Sequence, residues 1–139
     1  MPPRDDLILE FWDKSRELRI ENKEYGRFVS QFLSILLKQD IGKGDVTSSS
    51  MLGNNKNIYA AVVAKEDGIF AGLDEFRLMN SDLEIRPLKH DGDRIKAGDV
   101  LIKINGPAGK ILERERTYLN LLQRMSGIAT LTNDLAGKL

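Results

Sequence analysis

The feature that most constrains this chain is a double change of hydrophobic period. The pattern is helical up to about Asp45, strand-like from there, and helical again from Pro107. Such a chain folds as a small sheet flanked by helices. It is neither an all-helical bundle nor a run of βαβ units. Residues 5–38 read as helical. Leu7, Ile8, Phe11 and Trp12 make one apolar stripe, and a second helix is expected from Glu24 to Lys38 with Phe28, Phe32, Ile35 and Leu36 on its buried face and Val29 and Leu33 beside it. Strands are expected at Ile58–Ala64, at Ile69–Ala71, at Leu83–Leu88 and at Val100–Ile104, with a short helix from Asp74 to Asn80. Pro87 places its strand at a sheet edge, because proline cannot donate to a ladder. After Asn105-Gly106-Pro107 the chain is helical to its end, with Gly127 expected to interrupt it. The fold class is therefore α+β, with helices over 1–38, a small, mostly antiparallel sheet within 39–106 and a helical segment over 107–139, all in one domain.

Composition narrows the function classes. With 139 residues, 41% of them hydrophobic and 30% charged, the chain can bury a core. Twenty-one basic and 21 acidic side chains cancel, which argues against a nucleic-acid or membrane-surface partner. No cysteine is present, so disulfide frameworks, thiolate catalysis and cysteine-ligated zinc are excluded, and one histidine is too few for a two-imidazole metal site. No apolar run of membrane-spanning length and no signal-peptide pattern occurs. These features point to a soluble, cytosolic domain.

Three stretches could carry chemistry. Asp40-Ile41-Gly42-Lys43-Gly44-Asp45-Val46-Thr47 has glycines and a lysine, but their order fails the Walker pattern, and a helix-to-strand connection with glycines at positive φ is the plainer reading. Asp91-Gly92-Asp93 and Lys96-Ala97-Gly98-Asp99 read as two tight turns around a short strand. This is the rhythm of hammerhead-type β structures such as biotinyl and lipoyl carriers, but without a lysine at a hairpin tip. His90 beside them reads as a surface or cap residue. The third stretch runs from Leu112 to Thr130. On a helix, Ile111, Tyr118, Leu119, Leu121, Leu122 and Met125 share one apolar arc, and Arg116, Asn120 and Gln123 line its flank at i, i+4 and i+7. Glu115 falls inside the arc, where a buried carboxylate would call for an arginine partner. The flank is either a solvated surface with ion pairs or a place where Arg116 offers a forked guanidinium to a carboxylate or phosphate. Spacing leaves both open.

The order of four blocks adds a resemblance. Asp40–Thr47, Lys65–Gly72, Asp91-Gly92-Asp93 with Gly98–Leu101, and Glu115-Arg116-Thr117 with Asn120–Thr130 closely resemble the N-terminal part of quinolinate phosphoribosyltransferases, from about Leu36 to Thr132. Gln39 departs from the family, which carries an acid before the residue matching Asp40. The resemblance implies a hammerhead-type α/β sandwich leading into an α/β barrel, of which this chain lacks the barrel. It also implies the conversion of quinolinate and phosphoribosyl pyrophosphate to nicotinate mononucleotide, pyrophosphate and carbon dioxide in NAD biosynthesis, with Mg2+ in the full-length enzyme. It implies a homodimer or higher homo-oligomer, in which the N-terminal domain caps the partner's active site, and the chain itself is expected in the cytoplasm. Arg116 matches the arginine that reaches the substrate carboxylates there, with Glu115, Asn120 and Gln123 as supporting residues. No catalytic residue, metal ligand or cofactor is expected in this chain, which reads as a fragment inactive on its own. A domain of a pyrophosphorylase-like protein of molybdenum transport and a free-standing binding or assembly module are the competing readings.

Overall fold

The computed structural model describes residues 18–51 and 56–138, with only the backbone course given for residues 40–51. The apolar stripe Leu7–Trp12 lies outside the described residues. After a turn at residues 18–22, helix α1 (Lys23–Met51) begins. It does not stop at Lys38 but runs through the segment expected to be a connection. No proline lies between Leu36 and Met51 to force an end, and each glycine only lowers helix preference by about 1 kcal/mol. The face α1 buries also differs from expectation. Val29 and Leu33 are buried, with Tyr25, Leu36 and Leu37 packed against the core. Phe28, Phe32 and Ile35 are 65%, 49% and 56% exposed. Both stripes have helical spacing, and only the packing against later elements distinguishes them.

The sheet follows. Strands β1 (Asn57–Val63), β2 (Gly68–Ile69), β3 (Glu84–Pro87), β4 (Arg94–Ile95) and β5 (Val100–Pro107) are interrupted by helix α2 (Leu73–Met79) between β2 and β3. The order β1-β5-β3 makes a three-stranded antiparallel sheet, and β2 pairs antiparallel with β4. Proline-bearing β3 is an edge strand, as its chemistry requires. β5 is central and supplies Leu101, Ile102 and Ile104 to the core, the last two almost fully buried.

Helix α3 (Ala108–Gly137) starts immediately after β5. Pro107 at its N-cap has extended backbone (φ −60°, ψ 130°), a conformation that suits a ring locked near φ −65°. Gly127 does not interrupt it, for the reason that applies in α1: one glycine is a small penalty in a helix whose other face is packed. Ile111, Tyr118 and Leu122 of α3 meet Val29 and Leu33 of α1 and Leu73, Phe76 and Met79 of α2 in one core. Phe76 and Tyr118 pack edge to face with ring centroids 5.1 Å apart.

Candidate functional site

The turn-rich blocks of the sequence hold one another. Asp91 Oδ1 accepts hydrogen bonds from the backbone N–H groups of Gly72 (3.1 Å) and Leu73 (3.0 Å), and so caps the start of α2 from a distant loop. Asp93 Oδ2 accepts from His90 N–H at 2.8 Å and Asp99 Oδ2 from Lys96 N–H at 2.9 Å, closing the two turns. Gly92 and Gly98 supply the positive φ those turns need (91° and 94°). Asp67 Oδ1 accepts from Ala97 N–H at 2.9 Å. His90 is exposed. This stretch is architecture.

The Ser126–Thr130 stretch of α3 also serves the fold. The Ser126 hydroxyl accepts from Ala71 N–H (3.0 Å) and donates to the Ala71 carbonyl (3.2 Å). Thr130 Oγ1 accepts from Ile69 N–H (2.9 Å) and donates to the Ser126 carbonyl (2.7 Å). The two hydroxyls thus pin β2 and the residues after it to the helix. A Cβ on Gly68 would lie 2.6 Å from Thr130 Oγ1, so that glycine permits the close approach. Sequence reasoning did not find this pairing. Its signal was the small residues at positions 68, 71 and 72 beside two helical hydroxyls four residues apart.

What remains on α3 is charge. Arg114 and Arg116 stand two residues apart, about 200° around the helix, and so face different ways. Arg114 forks onto Asp82, with Nη1–Oδ1 at 2.6 Å and Nη2–Oδ2 at 2.9 Å, and its side chain is only 17% exposed. Lys110 Nζ approaches the same carboxylate at 3.1 Å. Hydrogen bonding to Arg114 holds the Asp82 carboxyl far below the usual range, and the same bond raises the Arg114 guanidinium. This clamp, which the sequence did not reveal, ties α3 to the turn between α2 and β3.

Arg116 is exposed and makes no ion pair among the described residues. Asn120 and Gln123 are exposed as well, on the same flank of α3. The structure therefore brings the three together as their spacing requires. Glu115 is a correction, since it is exposed rather than buried with an arginine. At that level of the helix Thr117, 3% exposed, faces the interior, and the carboxylate keeps its water instead of meeting a desolvation cost. Glu115 still acts on its neighbour: burial, and then its charge, push the Tyr118 hydroxyl up to about 12. The arrangement can present one forked cation and two amides to an anionic ligand from outside the chain. Among the described residues no group of three His, Asp or Glu could hold a metal ion.

The family model for the N-terminal domain of quinolinate phosphoribosyl transferase matches residues 45–126. The chain belongs to this family. It is 40% identical over 110 residues to the probable carboxylating nicotinate-nucleotide pyrophosphorylase of Bacillus subtilis (strain 168), covering 76% of this chain and 38% of that protein. It is 38% identical over 109 residues to the chloroplastic carboxylating nicotinate-nucleotide pyrophosphorylase of Arabidopsis thaliana, covering 75% and 31%. Among solved structures, NadC from Streptococcus pyogenes aligns with a TM-score of 0.67 at 30% identity over 75% of this chain and 39% of that one. The nicotinate-nucleotide pyrophosphorylase from Francisella tularensis aligns with a TM-score of 0.70 at 28% identity over 78% and 40%. The chain thus spans about two fifths or less of the length of these relatives, and its α+β fold is that of the N-terminal domain of NadC. No helix among the described residues is long and apolar enough to cross a membrane.

Proposed function

We propose that this domain belongs to an enzyme that joins quinolinate to phosphoribosyl pyrophosphate, and that its part in the reaction is to present Arg116 to the substrate's carboxylates. One observation carries the assignment to Arg116: of two arginines two residues apart on α3, Arg114 is committed to Asp82 and Arg116 is not. Quinolinate is a dianion, and a planar guanidinium can hold a carboxylate through two parallel hydrogen bonds. Asn120 and Gln123, one and two turns further along the same flank, add amide donors for the ligand's remaining oxygens. Magnesium, which the whole reaction is expected to use, finds no ligand set among the described residues.

The active site itself is completed by chain that the relatives possess beyond the part matched here, and in this reading a second subunit brings it to Arg116. The exposed Ile128, Leu131 and Leu135 on the last turns of α3 support association, since apolar strips of this kind seek cover.

The test is Arg116→Ala in the full-length enzyme. Losing a charge-assisted hydrogen bond costs about 1.5–3 kcal/mol, so quinolinate affinity should fall on the order of tenfold to a hundredfold, with phosphoribosyl pyrophosphate binding much less affected. Arg116→Lys should restore part of the loss, because the ammonium keeps the charge but not the fork. Melting temperatures should stay at the parent value, since the side chain lies in solvent. Unchanged quinolinate affinity in Arg116→Ala would refute the role.

A further inference from the structure

The strip formed by Phe28, Phe32 and Ile35 on α1 has no cover among the described residues. Phe28 and Phe32 stack with ring centroids 6.3 Å apart and planes within 5°, and both rings are about half exposed or more. The strip runs alongside the packed stripe of Val29 and Leu33, so it borders the core without joining it.

We propose that the chain's own N-terminal segment, carrying Leu7, Ile8, Phe11 and Trp12, docks on this strip. Three observations favour this occupant. First, the chain reverses just before α1. Asn22 N–H donates to the Arg19 carbonyl at 2.9 Å and so closes a turn, and Gly26 N–H, bonded to the Asn22 carbonyl at 2.9 Å, begins the helix. The Ile20 carbonyl presses against the first turn of the helix, where a Cβ on Gly26 would lie 2.9 Å from it. A short connection of this kind is the one that joins antiparallel helix pairs.

Second, the spacings match about that turn. Trp12 stands six residues before Leu18, and Phe28 six residues after Asn22. Ile8 stands ten before Leu18, and Phe32 ten after Asn22. Leu7, eleven before, falls between the levels of Phe32 and Ile35. If the docked segment takes the helical rise of about 1.5 Å per residue, Trp12 would come level with Phe28 and Ile8 with Phe32. Third, the segment's apolar residues recur at i, i+1, i+4 and i+5, which is a one-sided pattern that needs a surface to cover it.

The chain carries its own probe, because Trp12 is its one tryptophan. The indole emission of the 139-residue chain should be blue-shifted and shielded from acrylamide, and it should stay so through a wide dilution series. Phe28→Asp with Phe32→Asp should shift the emission to that of a solvated indole while helical circular dichroism persists. The chain has no cysteine, so Trp12→Cys with Phe28→Cys gives a second reading in a background that keeps Phe32, through an intramolecular disulfide under mild oxidation. A solvated indole in the parent would overturn the proposal. So would a shielded one that is lost on dilution, which would make a second copy the occupant. Emission indifferent to the paired aspartates in a folded protein, or disulfides that form only between chains, would overturn it equally.

Discussion

The two hydroxyls of α3 offer the clearest separation of fold from function. Thr130→Val keeps the side-chain shape and removes the acceptor of the Ile69 N–H bond. Ser126→Ala removes the partner of both the N–H and the carbonyl of Ala71. A backbone group stranded out of reach of water costs about 1–3 kcal/mol. Both sites are only part-buried, so some water will return. The lower half of the range applies to Thr130→Val, about 1–1.5 kcal/mol, and about 2 kcal/mol to Ser126→Ala, where two groups lose their partner. Unfolding entropy of about 2.1 cal/mol/K per residue makes 1 kcal/mol worth about 3–4 °C for a chain of this length. Thermal denaturation should therefore show a fall of about 4 °C for Thr130→Val and about 7 °C for Ser126→Ala. The double variant should fall short of the sum, because both hydroxyls hold the same short segment. If both variants melted with the parent while quinolinate binding by the full-length enzyme weakened, the hydroxyls would belong to the ligand and the structural assignment would be wrong.

Other outcomes follow from the charged and strained positions. Asp82 has its carboxyl lowered chiefly by Arg114, so its contribution is present above about pH 4 and lost as the solution is acidified below it. With that side chain 38% exposed, solvent screening limits the effect to about 1 kcal/mol, and Asp82→Asn should flatten the acid limb of a stability-versus-pH curve by that amount. Burial raises the hydroxyls of Tyr25 and Tyr118 to about 12, so their share of stability is intact below pH 10 and disappears between about 10 and 12. In a Tyr59→Phe background, phenolate absorbance and unfolding should rise together in that window, and phenolates appearing earlier in a still-folded chain would contradict the burial. Gly72→Ala should destabilise by about 1–3 kcal/mol, since residue 72 has φ 105° and a Cβ there would lie 3.1 Å from both Leu122 and Met125; denaturant titration measures it.

The fold was legible where the hydrophobic period was unambiguous. The strand period from Ile58 and the return to helix at Pro107 placed the sheet and α3, and Pro87 marked the edge strand before any pairing was known, whereas the switch expected near Asp45 falls inside α1. The buried face of α1 was not legible. Phe28-Phe32-Ile35 and Val29-Leu33 have equally good helical spacing, and aromatic size favoured the wrong one. Glu115 failed for a related reason. A helical wheel averages over the whole length of α3, whereas burial at a given turn depends on which element lies beside it. The Arg114–Asp82 clamp joins residues 32 apart in sequence, and no local pattern announces it. Arg116, Asn120 and Gln123 were readable as a group because their relation is local to one helix.

The contrast between Arg114 and Arg116 bears on what the proposed role would require. Arg114 has its carboxylate inside the chain and stiffens the junction of α3 with α2. Arg116 keeps its guanidinium in water, where an ion pair with a carboxylate contributes only about 0–1 kcal/mol. The same pair gains strength as water leaves, because the effective dielectric falls. An exposed arginine on one flank of a helix therefore becomes a strong carboxylate ligand only when another surface closes over it. Ser126, Thr130 and Arg114 anchor α3 to β2, to the residues after it and to the turn before β3. In the proposed role this anchoring would fix the backbone from which Arg116 projects, so that little would be lost in orienting the guanidinium under a covering surface.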